Sequence, residues 1–356
     1  ASDATRIDLK GKTLMPGLID CHVHVTAISA NFAELARTSP FYVAAKAGEI
    51  MNGMLKRGFT TVRDVGGADH GLARAVEEGL YDAPRLMFCG KALSPPGGHG
   101  DVRAPGVEGY ETPYTQPGLG YIVDGVPEVR RAARGEIRRG AHHLKIMGGG
   151  GISSPTDRIS SDQFSEEEIA AVVEEASMAN LYVAVHAYTA RSIERCVKLG
   201  VRSIEHGNLA TEQSIALMKE HGAILVPTLA IYRALVEEGV KAGLPEELVD
   251  KTYEVLDAGI NAVEMAYKAG VPMAYGTDLL GVMHRRQLTE FTLRKDVVKP
   301  AKLIRREAEL GLVATGFRAD MIVVDGNPLD DIGVMESPEH SPLLVMKDGR
   351  VLVDSL

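Results

Sequence analysis

Leu181–Pro227 reads LYVAVHAYTARSIERCVKLGVRSIEHGNLATEQSIALMKEHGAILVP. Apolar, β-branched runs alternate here with helical patterns. Leu181–Val185 ends at His186, and from about Ala190 to Leu199 the residues Ile193 and Val197 recur at helical spacing until Gly200. Val201–Glu205 then ends at His206, a helix from near Thr211 carries Ile215 and Met218 to Gly222, and Ala223–Val226 meets Pro227. A strand–helix pair every ~20 residues is a βα unit, and strands apolar on both faces suit a parallel sheet covered by helices.

The same reading extends outward. Upstream, Gly58 opens the β-branched run Gly-Phe-Thr-Thr-Val-Arg-Asp-Val-Gly, Leu86–Cys89 is a second run, and His143–Met147 is a third, ended by Gly148–Gly151. Ser165 stands three residues before Glu168, a capping box heading a helix with Ile169, Val172, Val173 and Ala176 at the right spacing. Downstream, Leu248–Lys268 reads as one long helix and Val271–Tyr275 as a strand running into Gly276, Thr277 and Asp278. Six or more βα units fit between Met15 and about Glu309. The class is α/β, and a closed (β/α)8 TIM-like barrel is favoured over an open doubly wound sheet. No nucleotide fingerprint supports the open sheet, because Gly148–Gly151 is not followed by Gly-Lys-Ser/Thr.

Both ends of the chain differ from this pattern. Arg318–Asp325 and Pro342–Met346 are β-rich runs, Asp348-Gly349 is a hairpin turn, and Val351–Val353 follows. Ile7–Leu14 reads as one more strand. We therefore expect a small β-sandwich domain from residues 1–14 and 310–356, beside a barrel over 15–309.

Composition narrows the class of function. The 356 residues carry 39 basic and 48 acidic side chains, net −9, against a nucleic-acid partner. Arg130, Arg131, Arg134, Arg138 and Arg139 alternate with Glu at helical spacing, as on a solvated helix face. Without Trp there is little basis for stacking single strands. Cys21, Cys89 and Cys196 lie too far apart for a disulfide framework or a CxxC site, and no apolar run is long enough for a membrane span. The expected compartment is the cytoplasm, with secretion left open because the sequence starts without Met. The 38 glycines exceed the usual ~7% and cluster between strands and helices.

The chemistry starts at His22 and His24. Alternate residues of a strand face one side, so both imidazoles share it, either as hydrogen-bonded core histidines or as metal ligands. Cys21 should then alternate away and pack outside the barrel. Lys145 lies inside an apolar run, where a lone ammonium is expensive. His186, His206 and Asp278 each end a strand, where a barrel gathers its site. So many donors with one buried lysine suit two metals better than one tetrahedral zinc, and a carbamate on the lysine would turn a repelling cation into a bridging anion.

Pro16-Gly17-Leu18-Ile19-Asp20 before His22-Val23-His24, with Lys145, His186, His206 and Asp278, resembles the ligand pattern of the amidohydrolase superfamily. Gly97-Gly98-His99-Gly100-Asp101, His143-Leu144-Lys145-Ile146-Met147, His186-Ala187-Tyr188-Thr189 and Glu205-His206-Gly207-Asn208 resemble its imidazolonepropionase-related, prolidase-like branch. That branch includes Xaa-Pro dipeptidases, carboxypeptidases for C-terminal Arg or Lys, and ochratoxin-type amidases.

The resemblance implies hydrolysis of the amide bond of a dipeptide or N-acyl amino acid at a binuclear zinc centre, a hydroxide between the ions being the nucleophile. His22 and His24 would hold the more buried ion with Asp278, and His186 and His206 the more exposed one. Lys145, carboxylated by carbon dioxide, would bridge, and Asp278 would shuttle the proton. His143, with His142 as the weaker alternative, and Tyr232 would bind substrate, with His99 just behind the ligands. His284 and Arg285 are read either as contacts to a substrate anion or as solvent-exposed, and His70, His221 and His340 as surface residues. A deaminase or hydrolase of a cyclic amide (imidazolonepropionase-like) and a non-catalytic barrel homologue are the alternatives. The partner is a small peptide or N-acyl amino acid, and the assembly a homo-oligomer. Relatives of this kind also carry a longer N-terminal β segment and a helix after Lys299-Pro300, so more chain is expected than the sequence shows.

Overall fold

The computed structural model describes residues 5–107, 116–294, 306, 308–336 and 342–356. His340 and the Lys299-Pro300 region lie outside the described residues. The strands are β1 Thr13–Pro16, β2 Leu18–Val23, β3 Phe59–Asp64, β4 Arg85–Phe88, β5 Ala92–Ser94, β6 Gly120–Ile122, β7 Leu144–Met147, β8 Val183–Thr189, β9 Ser203–Leu209, β10 Ile224–Val226, β11 Met321–Val324, β12 Leu344–Lys347 and β13 Arg350–Asp354. The helices are α1 Phe32–Leu35, α2 Pro40–Lys56, α3 His70–Glu77, α4 Val126–Arg138, α5 Glu166–Met178, α6 Ala190–Lys198, α7 Glu212–Glu220, α8 Leu229–Glu238, α9 Val249–Tyr253, α10 Leu256–Ala269 and α11 Thr289–Leu293.

Two parallel sheets make a TIM-like barrel. One has the order β2-β3-β4, and the other β10-β9-β8-β7-β5-β6. The seams are closed by a few backbone hydrogen bonds rather than by long ladders. His142 N donates to Phe88 O at 2.8 Å, joining β4 to the start of β7. On the far side the 271–275 run sits between β10 and β2. Ala274 N donates to Leu225 O (2.9 Å), Leu225 N to Pro272 O (3.0 Å), and Cys21 N to Tyr275 O (2.7 Å). That run is the eighth stave, although its only ladder pairing among the described residues is the bridge Leu225–Met273. Gly276 permits this approach: a Cβ there would lie 2.5 Å from Val226 Cγ1 and 2.9 Å from His22 Cβ.

Outside the staves, Leu144, Ile146, Val183, Val185 and Leu225 pack against Ile169, Val172, Ile193, Val197, Ile215 and Met218 of the covering helices. This is the apolar face that the helical spacing expects. Ser165 caps α5 with the reciprocal Glu168 bond. The Arg face of α4 does more than meet water, because Arg130 and Arg134 both pair with the buried Glu175 of α5.

Two local readings change. The register of β2 on β3 shifts between Asp20 and Val23. This bulge breaks strict alternation, so Cys21 does not pack outside but clusters with Ile19, Tyr182, Ile224, Val226 and Ala274. The expected helix over 248–268 is interrupted between α9 and α10, next to Val255, whose carbonyl accepts both from the buried Asn208 Nδ2 at 2.9 Å and from Gly259 N at 3.3 Å.

The chain ends form an antiparallel sheet, order β1-β11-β12-β13. Among the described residues it is a single four-stranded layer. Its Ile322, Val324 and Val345 share one core with Val23, Phe59 and Val62 of the barrel, so the barrel wall is its second layer. No described helix is long and apolar enough to cross a membrane.

Candidate metal centre

At the C-terminal ends of the staves one cavity, about 990 Å³ of empty space including its open mouth, is lined by His22, His24, His99, Lys145, His186, His206, Tyr232 and Asp278. They come from the end of β2, the loop after β5, β7, β8, β9, α8 and the loop after the 271–275 run, as convergence on the C-terminal face demands. The rings are close: His22 to His206 4.9 Å between centroids, His186 to His206 4.6 Å, and His22 to His24 5.4 Å.

Each ligand-type histidine has one ring nitrogen engaged by the protein. His22 Nδ1 lies 2.7 Å from Glu205 Oε2, and His24 Nδ1 lies 2.9 Å from Gly66 O. His186 Nε2 lies 3.1 Å from Gly150 O, and His206 Nδ1 lies 2.7 Å from the Thr228 hydroxyl. A carbonyl or ionised carboxylate can only accept, so the nitrogen facing it carries the hydrogen, and in a neutral ring the other nitrogen keeps a lone pair. For His22 and His24 that other nitrogen, Nε2, lies 3.3 Å from Asp278 Oδ1. This is how metal-ligating histidines are usually oriented.

The electrostatics divide the histidines: burial opposes a charge on His22, but Asp278 and Glu205 together raise its imidazole above the ordinary value. Burial, reinforced by neighbouring cationic groups, holds His186 and His206 well below the ordinary imidazole value, in the neutral form a metal requires. Burial alone would raise the Asp278 carboxyl, but His22 and His24 hold it well below its usual range. Lys145 is 2% exposed and makes no hydrogen bond or ion pair among the described residues. Burial lowers its pKa. His206 and Asp278 both have left-handed backbones, φ +74° and +55°, which cost on the order of 1–3 kcal/mol each in a non-glycine residue.

Among the described residues, His22, His206 and Asp278 offer ligand atoms all within 4.8 Å of one another. This potential metal-binding triad combines one histidine expected at the buried ion with one expected at the exposed ion. His24 and His186 lie at its edges.

Glu205 and Arg63 had no assigned role in the sequence reading. Both are fully buried, and Arg63 Nη2 lies 2.8 Å from each Glu205 oxygen while its Nε donates to Cys21 O. Burial alone would raise the Glu205 carboxyl, but Arg63 and then His22 hold it far below its usual range. The signal was available in each strand: a charge inside an apolar run, as at Lys145.

The remaining residues fall into place around this centre. Tyr232 is fully buried, its hydroxyl 3.3 Å from Thr228 Oγ1 and 3.5 Å from Tyr188 Oη. His99 stacks on His186 at 4.2 Å with its Nδ1 2.9 Å from Ser154 Oγ. The structure does not bring His143 or His142 into the cavity lining. Alternation does relate His143 to Lys145, but His143 stands at the N-terminal end of the stave, stacked on Tyr182, and neither ring nitrogen is hydrogen-bonded among the described residues. His142 sits edge-on to Phe88, and its Nδ1 accepts from Phe88 N. His284 is buried against Ala27 O, and Arg285 is paired with Glu238 at the surface. His70 and His221 are exposed.

A sequence profile described as "Amidohydrolase family" matches residues 13–352. The chain belongs to the amidohydrolase family. Among curated relatives, ochratoxinase of Aspergillus niger is 33% identical over 350 residues, 92% of this chain and 73% of that protein. A crystal structure of a prolidase complexed with N-methylphosphonate-L-proline matches with TM-score 0.95 at 45% identity, covering 99% of this chain and 90% of the other. A Xaa-Pro dipeptidase with bound methionine matches with TM-score 0.84 at 32% identity, covering 96% and 87%. The chain is thus a member of an enzyme family that hydrolyses amide-type bonds, in its prolidase-like branch, with a potential metal-binding site at the barrel mouth.

Proposed function

We propose that this amidohydrolase cleaves the amide bond of a dipeptide or N-acyl amino acid at a binuclear zinc centre. The observation that carries the reading is the orientation of four histidines, each with one nitrogen occupied by the protein, around a buried lysine that makes no hydrogen bond or ion pair among the described residues. His22, His24 and Asp278 would hold one ion, and His186 and His206 the other, with Lys145 between them. Two divalent ions bound there would supply a nucleophile from water at neutral pH and polarise the scissile carbonyl.

The chain's own groups do the rest. Burial favours the neutral amine of Lys145, which carbon dioxide can convert to a carbamate: an N–C bond forms, a proton leaves, and an anion replaces the cation. Asp278, 3.3 Å from two imidazoles and held ionised by them, can accept the proton of the attacking water and return it to the leaving nitrogen. An amide nitrogen leaves poorly unless protonated, so the second transfer matters most. Burial keeps the Tyr232 phenol un-ionised, a donor for the substrate's oxygens.

Metal analysis of the purified chain should give about two zinc equivalents, and chelation should abolish turnover. A panel of Xaa-Pro, Xaa-Arg, Xaa-Lys and N-acyl-Phe substrates, with cyclic amides as the competing class, assigns the leaving group. Full activity in metal-free protein, or turnover of cyclic amides alone, would sink the reading.

A further inference from the structure

Lys251, on α9, is remote in sequence from every candidate ligand, yet its ammonium is spent on one loop. Nζ donates to Gly151 O (3.1 Å), Ser154 O (2.8 Å) and Asp157 O (2.8 Å), and lies 3.4 Å from Asp157 Oδ1. An ammonium has three hydrogens, and three carbonyls use them all while the carboxylate balances the charge. Asp157 binds the loop from within, accepting from Gly151 N and Gln163 Nε2 through Oδ2.

That loop touches His186 in two ways. Gly150 O faces its Nε2 and so sets which nitrogen points into the cavity. Ser154 Oγ meets His99 Nδ1, and the His99 ring stacks on His186 at an interplanar angle of 28°. The packing leaves no slack, since a Cβ on Gly151 would stand 2.1 Å from the His99 ring. Both the outer nitrogen and one face of His186 are therefore held by a single loop, whose curvature depends on one cation.

We infer that Lys251 is a positioning residue for His186, acting through the 150–157 loop to fix its Nε2–H tautomer and the aim of Nδ1. The metal-binding consequence rests on the binuclear reading, and the tautomer does not. Two measurements on the full chain separate them. In chelator-treated protein with isotope-labelled histidine, the His186 ring-nitrogen signals, assigned with His186→Gln, should report the Nε2–H form. Lys251→Met should shift them toward a mixture of tautomers, and Lys251→Arg should shift them less. On titration with zinc, Lys251→Met should weaken the second ion by roughly 10–100-fold and leave the first unchanged. Ser154→Ala, a milder change that keeps the Lys251 contacts but removes the hydroxyl's links to His99 and to Asp157 Oδ1, should give a smaller loss of the same kind. Unchanged His186 signals in both Lys251→Met and Ser154→Ala would overturn the positioning role. A wild-type chain that takes up one ion would instead defeat the binuclear reading, and the tautomer result would still decide the role of Lys251.

Discussion

Glu205 and Arg63 show how much a single buried pair decides. Their separation of 142 positions hides the partnership from any local reading, although each is visible as a charge in an apolar strand. His22, His24, His186, His206 and Asp278 were legible because alternation and strand ends are local signals. The inward turn of Cys21 was not, because it depends on a bulge set by pairing with β3. The pair also gives a sharp prediction. Glu205→Gln leaves the Arg63 guanidinium buried without its counter-charge, and should cost about 3–5 kcal/mol of stability in denaturant unfolding. It should also weaken zinc binding at His22, whose Nδ1–H loses an ionised acceptor. The double variant Arg63→Met/Glu205→Gln should recover part of the stability but none of the zinc affinity. If the double variant recovered both, Glu205 would serve the fold and not the imidazole.

Helices and long strands follow their periodicity closely, whereas short elements depend on distant partners. The three-residue strands β5 and β6 carry too few positions for any pattern, and they exist because β5 pairs with β6 and meets β7. The break between α9 and α10 likewise lies where a distant residue, Asn208, reaches the chain at Val255 O. Gly259, near the start of α10, makes this testable. Alanine there gains about 1 kcal/mol of helix propensity. Its Cβ, however, would stand 2.8 Å from both Asn208 Nδ2 and Leu229 Cδ2. Asn208 is held by Val255 O and Leu229 is buried, so neither can move freely, and such overpacking costs about 1–3 kcal/mol. Gly259→Ala should therefore lower Tm, against the propensity scale. At α5, where the capping box is purely local, Ser165→Ala should cost about 1 kcal/mol and leave zinc binding untouched.

The division of the chain into barrel and end sheet was legible as a change of pattern, but pattern does not say whether the two parts are stable separately. The packing argues that they are not. Ile322, Val324 and Val345 bury against the barrel's Phe59 and Val62, so removing the sheet would expose the outside of the first staves. Polar ties reinforce this. Arg85, where β4 begins, donates to Thr61 Oγ1 at 3.0 Å, to Asp320 Oδ2 at 2.7 Å and to Asp348 Oδ1 at 2.7 Å, while Lys347 donates to Ala83 O. Asp320 is 5% exposed, so Arg85→Met would strand a nearly buried carboxylate. Asp348 N still donates to Asp320 Oδ1, and Arg85 keeps some solvent contact, so the loss should be about 2 kcal/mol rather than the 3–5 of a fully buried pair. Calorimetry of the wild type should show one transition, and Arg85→Met should move that whole transition down by several degrees. Two transitions, with only one shifted by the substitution, would mean that the end sheet melts on its own and that the shared core does not couple it to the site.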